Sequence, residues 1–285
     1  MRAERASLSV NDFTYVRQLL LERAGILLES GKEYLADARL SALSLTEGYG
    51  SIGELLDRAQ SERDFGPLQR KVIEAMTITE TSFFRDLHPF EALRRHIFPQ
   101  VLAARASERT LNIWCAAAAS GQEPYSVAMV LREHFPQLAG WKVLLLASDI
   151  SESMLARARA GAFSQIEINR GLPAAHLVKY FRKQENEWFL SEDVKRMVEF
   201  RRINLTGPWP MMPPLDIVLM RNVLLYFDVD TKRTILERVS RVMRPEAVLF
   251  LGSGETTLNL VERFVPVPFG KAIGYQLAST DTRRP

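Results

Sequence analysis

The chain has 285 residues, 47% of them hydrophobic and 25% charged. That globular balance, long enough for one large domain or a small one joined to a larger one, excludes a peptide hormone, a disulfide scaffold and a disordered tail. The 37 basic and 34 acidic residues leave a net charge of +3 with no basic stripe, which argues against nucleic-acid binding.

From Asn11 to Met76 the apolar spacing is helical. Phe13, Val16, Leu19 and Leu20 share a face, and Gly25 stands where a helix C-terminus favours the left-handed conformation. A second helix is expected from about Glu33 to Leu45, with Tyr34, Leu35, Ala38, Leu40 and Leu43 its apolar residues, then a short one capped by Ser51, and another striped by Phe65, Leu68, Val72, Ile73 and Met76. Residues 1–76 read as a helical domain, followed by a polar link, TITETSFFRD, over residues 77–86.

Over residues 87–285 short apolar runs alternate with amphipathic segments. Strands are expected at LNIWC from Leu111, KVLLLAS from Lys142, MVEFRRI from Met197, LDIVLM from Leu215 and AVLFLG from Ala247. Helices are expected at about Gln122 to His134, Ser153 to Arg159 and Asp230 to Val242. Nearly continuous apolar strands separated by helices indicate an α/β, doubly wound parallel sheet. The surplus chain over residues 162–198 is expected to form a small antiparallel β-subdomain, either for partner or substrate recognition or as plain elaboration. Cys115 is the single cysteine, which points to a reducing compartment, and no apolar run approaches a membrane span or a signal-peptide core, so a soluble cytoplasmic protein is expected.

Wound sheets bind ligands outside the carboxyl ends of their strands. The first such turn, CAAAASGQEPYS, has small side chains that let a nucleotide-derived cofactor approach the backbone, and Pro124 suits a first helical turn beside Glu123. Asp149 ends the second strand, where it either accepts hydrogen bonds from ribose hydroxyls or caps the next helix. Arg221, Asn222 and Tyr226 follow a buried strand and read as a site, with an amphipathic core role the other reading of Tyr226. His88, His96, His134 and His176 show no metal or triad spacing, so no metal is expected, and Cys115 reads as a packing residue.

Taken in order, TETSFFRD, WCAAAASGQEPYSVAM, ASDIS, the INL of Ile203 to Leu205, and MRNVLLYFD closely resemble the chemotaxis receptor methyltransferases, the CheR family. The likeness extends to the N-terminal DFTYVRQLLLERAGILL. It implies a class I S-adenosylmethionine-dependent methyltransferase fold with a Rossmann-like sheet, an N-terminal all-helical domain and the inserted β-subdomain. The implied activity is methyl transfer to glutamate side chains in the cytoplasmic signalling region of methyl-accepting chemoreceptors; nothing in the sequence demands more than a monomer, and neither nucleic-acid binding nor membrane insertion is expected.

By the same resemblance, Arg85 pairs with the carboxylate of the methionine moiety, Glu123 lies near its ammonium group and Asp149 holds the ribose. Thr79, Thr81, Ala117, Asn204, Leu205 and Asn222 complete the cofactor pocket with Arg221 beside them, and Tyr226 lies near the sulfonium and the incoming glutamate. Arg85 and Tyr226 are the expected catalytic pair. The chain departs from the family pattern at Thr79, usually Asn, and Ala119, usually Ser, each a potential lost hydrogen bond of about 0.5–1.5 kcal/mol. The helix near Arg39, which in relatives is basic and faces the receptor, is less basic here. A catalytically weakened, cofactor-binding receptor adaptor is the alternative that these departures motivate.

Overall fold

A computed structural model describes residues 8–278 and divides the chain into two compact units. One runs up to Ile78 and takes in Asn204–Pro208 and Tyr226–Asp228; the other comprises Thr79–Ile203, Trp209–Leu225 and the chain from Val229 onward. Among the described residues no helix is long and apolar enough to cross a membrane.

The first unit holds α1 (Val10–Ala24), α2 (Glu33–Thr46), α3 (Ile52–Gln60) and α4 (Pro67–Met76). Ser9 and Asp12 form a reciprocal capping box at the start of α1, and Gly25 ends it at φ 68°. Ser51 caps α3, whose buried Ile52, Leu55, Leu56 and Ala59 follow the helical period. The face that α2 buries is Ala36, Leu40 and Ser44, whereas Tyr34, expected on the apolar stripe, is exposed. Arg39 is spent inside the unit: its Nη1 donates to the carbonyls of Met76 at 2.8 Å and Thr77 at 2.9 Å, closing the C-terminus of α4.

The second unit begins with α5 (His88–Ala92), a π turn over Leu93–Ile97 and α6 (Phe98–Ala104). Pro99 has no N–H to donate to the preceding turn and its ring crowds the Arg95 carbonyl, so the helical ladder widens just before it. The chain continues through β1 (Thr110–Ala116), α7 (Gln122–His134), β2 (Lys142–Asp149) and α8 (Glu152–Ala160). The insert follows as β3 (Ala162–Ser164), α9 (Gln165–Asn169), α10 (Ala174–Tyr180), β4 (Phe181–Gln184), β5 (Glu187–Leu190) and α11 (Glu192–Lys195). Then come β6 (Val198–Arg202), β7 (Leu215–Met220), α12 (Val229–Val242), β8 (Met243–Leu251), β9 (Phe264–Phe269) and β10 (Ala272–Leu277).

The seven-stranded sheet has the order β6-β2-β1-β7-β8-β10-β9. Its first five strands are parallel, and β10 runs antiparallel to both β8 and β9. The sheet is therefore mixed rather than wholly parallel, and the β9–β10 hairpin is an element the apolar pattern does not announce. Pro266 and Pro268 break the strand signal of FVPVPF, and they are tolerated because β9 is an edge strand. The order reverses between β1 and β7, the switch point that opens a crevice at the strands' carboxyl ends. The insert forms a separate three-stranded antiparallel sheet, β3-β5-β4. Phe163 and Phe181 from this insert meet the Phe83 ring edge-on at 5.0 and 5.6 Å, so it props the segment that carries Arg85.

Candidate active site

Three segments at the carboxyl end of the sheet share an unusual backbone. Of the ten non-glycine residues with positive φ among those described, six lie here: Phe84, Asp86 and Leu87 before α5, Ala117 and Ala119 after β1, and Asn222 after β7. Such strain persists where surrounding contacts over-determine it, and it concentrates at functional sites. After β1 the alanines keep the turn open, and Gly121 at φ 92° leaves no room for a Cβ, which would stand 3.0 Å from that of Ala158. The Asp149 carboxylate, 8% exposed, accepts from the Ala119 amide at 2.8 Å and the Ser151 amide at 2.9 Å. Ser151, not Asp149, caps α8, so the helix-cap reading of Asp149 falls away.

Of TITETSFFRD, Thr77 and Ile78 fall in the first unit and the residues from Thr79 in the second. Phe83 and Phe84 are buried, and the Phe84 amide donates to Ser126 Oγ on α7 at 3.0 Å. Thr79 and Thr81 are half-buried. Arg85, half-buried, donates from Nη1 to the Glu80 carbonyl at 3.1 Å and forms no ion pair among the described residues.

The neighbouring cation is used differently. Arg221, whose side chain is 1% exposed, pairs through Nη1 with Glu123 at 2.8 Å and through Nη2 with Asp86 at 2.7 Å, and also donates to the Arg85 carbonyl at 2.8 Å. It thereby fixes Glu123 at the start of α7 and the backbone of Arg85 together. Burial pushes the Glu123 carboxyl up from its ordinary value, against the smaller downward pulls of Arg221 and Arg85.

Asn222 stands at φ 58°. Sequence reasoning missed the residue that builds the loop around it. Glu255 accepts four backbone N–H bonds, from Asn222 at 2.7 Å, Val223 at 2.9 Å, Leu225 at 3.2 Å and Gly252 at 2.7 Å. The signal available was a glutamate three residues beyond the glycine that ends an apolar strand.

Asn204, Leu205 and Tyr226 cluster with the helical unit. There the Asn204 amide nitrogen donates to the Arg23 carbonyl at 2.6 Å and its oxygen accepts from Thr206, while Leu205 is buried. Tyr226 is half-buried, outside the core, and its carbonyl accepts from the Leu27 amide at 2.9 Å beside an Ile26–Phe227 bridge.

A groove of about 520 Å³ that includes Phe135, Trp141, Val143 and Tyr180 lies at the opposite, N-terminal end of β2, and its Arg132 and Lys179 are paired with Asp193 and Glu133. The strand-end loops are the better candidate.

The model descriptions "CheR methyltransferase, SAM binding domain" and "CheR methyltransferase, all-alpha domain" match residues 79–272 and 11–77. The chain belongs to the CheR methyltransferase family. It is 38% identical over 270 residues to chemotaxis protein methyltransferase 1 of Pseudomonas aeruginosa, covering 93% of this chain and 97% of the relative. It is 36% identical over 269 residues to chemotaxis protein methyltransferase Cher2 of Pseudomonas putida, covering 93% and 97%. A chemotaxis protein methyltransferase of Escherichia coli is 33% identical over 267 residues, covering 92% and 90%. S-adenosylmethionine is the cofactor of this chain's methyltransferase domain. The residues present fit it: a guanidinium without a carboxylate, a buried glutamate at a helix start, an oriented aspartate at a strand end and an alanine-lined turn.

Proposed function

We propose that this protein is a protein-glutamate O-methyltransferase that forms glutamate methyl esters on the cytoplasmic signalling region of chemoreceptors, acting in the cytoplasm for adaptation in chemotaxis-type signalling. The observation that carries this reading is the division of labour between the two arginines. Arg221 neutralises the buried Glu123, which leaves Arg85 without an ion pair among the described residues.

In this reading Arg85 holds the cofactor's carboxylate through charge-assisted hydrogen bonds. Glu123 meets its ammonium group, and Asp149 accepts hydrogen bonds from the ribose. Thr79, Thr81, Ala117 and Asn222 line the pocket, with Arg221 acting by position. When bound, the cofactor supplies an electrophilic methyl group on a sulfonium. Tyr226 orients the substrate carboxyl group.

No general base is needed, because a glutamate with a reference pKa of about 4.3 is already ionised at neutral pH. The protein's work is alignment and exclusion of water, effects worth up to about 7–11 kcal/mol in favourable models. The chemotaxis methyltransferase names of the relatives support the substrate class.

The test is incubation with methyl-labelled S-adenosylmethionine and a receptor signalling fragment, followed by peptide mass spectrometry. The expected product is a base-labile methyl ester on glutamate. Cofactor binding with no labelled receptor would point instead to the adaptor.

A further inference from the structure

The loop from Arg221 to Leu225 carries two residues of the proposed cofactor site, yet its backbone has little regular support of its own. Four N–H groups that flank Asn222 in space converge on one carboxylate. Glu255 Oε2 takes the amides of Asn222 and Gly252, both at 2.7 Å, and Oε1 takes those of Val223 at 2.9 Å and Leu225 at 3.2 Å. A tight turn, with the Glu255 amide donating to the Gly252 carbonyl at 2.9 Å, folds the side chain back over the end of β8. Gly252 leaves the space for this: a Cβ there would stand 2.6 Å from Asn222 Nδ2 and 2.8 Å from Glu255 Oε2. Unpaired backbone N–H groups are costly away from water, so one carboxylate that satisfies four of them dictates where the chain runs.

We propose that Glu255 is a positioning residue for cofactor binding: it holds Asn222 in its left-handed conformation and so sets the shape of the wall that the loop after β7 presents to S-adenosylmethionine. The inference rests on the placement of Asn222 and Arg221 in the cofactor pocket. Glu255 touches neither cofactor nor substrate in this account. Glu255→Gln keeps the size of the side chain but turns one of its two acceptor atoms into a donor that faces backbone N–H groups. Glu255→Asp keeps the charge but withdraws the carboxylate by one methylene.

The experiment compares native protein, Glu255→Gln and Glu255→Asp by amide hydrogen exchange without cofactor and by calorimetric titration with S-adenosylhomocysteine. In both variants exchange should accelerate about tenfold or more in peptides spanning 221–225 and 252–255 while α7 and α12 keep their protection, and ligand affinity should fall about tenfold. Unchanged exchange and affinity in both variants would overturn the proposal. So would an equal loss of protection across the whole sheet, which would make Glu255 an ordinary fold residue. If native protein fails to bind the ligand, the cofactor-site reading fails, and the exchange data still decide whether Glu255 holds the loop.

Discussion

Two buried charge clusters sit at the two ends of β7, and they differ in what they leave over. At the N-terminal end Asp216 accepts from Arg105 Nε at 3.0 Å and from the Asn112 amide at 2.8 Å, with Arg244 at 3.4 Å. Arg105 also meets Glu108 and Glu246, and Arg244 meets Glu108, so each cation there has at least two acids. At the C-terminal end Arg221 has Glu123 and Asp86, but Arg85 pairs with no acid among the described residues. A buried ion pair is weak evidence for either stability or function, since desolvation offsets much of its attraction. The end that keeps a cation in reserve, on strained backbone, is the end fitted to a ligand.

The comparison breaks most visibly if its two hub arginines are removed. Arg221→Met should cost about 3–5 kcal/mol in urea denaturation, because it strands the buried Glu123 carboxylate, whereas Arg105→Met should cost less, because Asp216 keeps Arg244 and the Asn112 amide. Only Arg221→Met should also abolish cofactor binding in the protein that remains folded. Arg85→Ala sharpens the contrast: it should weaken S-adenosylhomocysteine binding about 10–100-fold, the loss of a charge-assisted contact of roughly 1.5–3 kcal/mol, with little change in Tm.

Much of this was legible in the sequence. Apolar runs marked β1, β2, β6 and β7 closely, and Gln122–His134 is a helix with those bounds. The turn of small residues, Asp149 and the Arg-Asn pair stand at carboxyl ends of strands, where topology puts ligands. What was not legible depends on contacts distant in sequence. The Glu123 and Asp86 partners of Arg221, and its 1% side-chain exposure, exist only in the fold. Glu255 sits in GSGETT, which reads as an unremarkable loop until its carboxylate meets Asn222, 33 positions away. The prolines of β9 hid a strand that only an edge position permits, and Tyr34 obeyed the helical period while facing solvent.

Smaller effects refine the same contrast. Asp149→Asn keeps one acceptor but turns a donor toward the Ala119 or Ser151 amide, and should weaken ligand binding about tenfold. Glu123 predicts a pH dependence. Its carboxyl is raised from 4.5 by burial, so the folded protein holds the proton where the unfolded chain has released it. That contribution to stability is fully present below 4.5 and is lost as pH rises through the raised folded value. Denaturation midpoints should therefore show native protein losing stability relative to Glu123→Gln as pH rises through this window. A difference that does not change with pH would contradict it.

The most direct measurement is calorimetric titration of S-adenosylhomocysteine into native protein, Arg85→Ala and Glu108→Gln, the last altering the cluster at the far end of the sheet. The account predicts binding by native protein, loss of about 10–100-fold in Arg85→Ala, and native affinity in Glu108→Gln. Equal affinity in native protein and Arg85→Ala, or an equal loss in both variants, would contradict it.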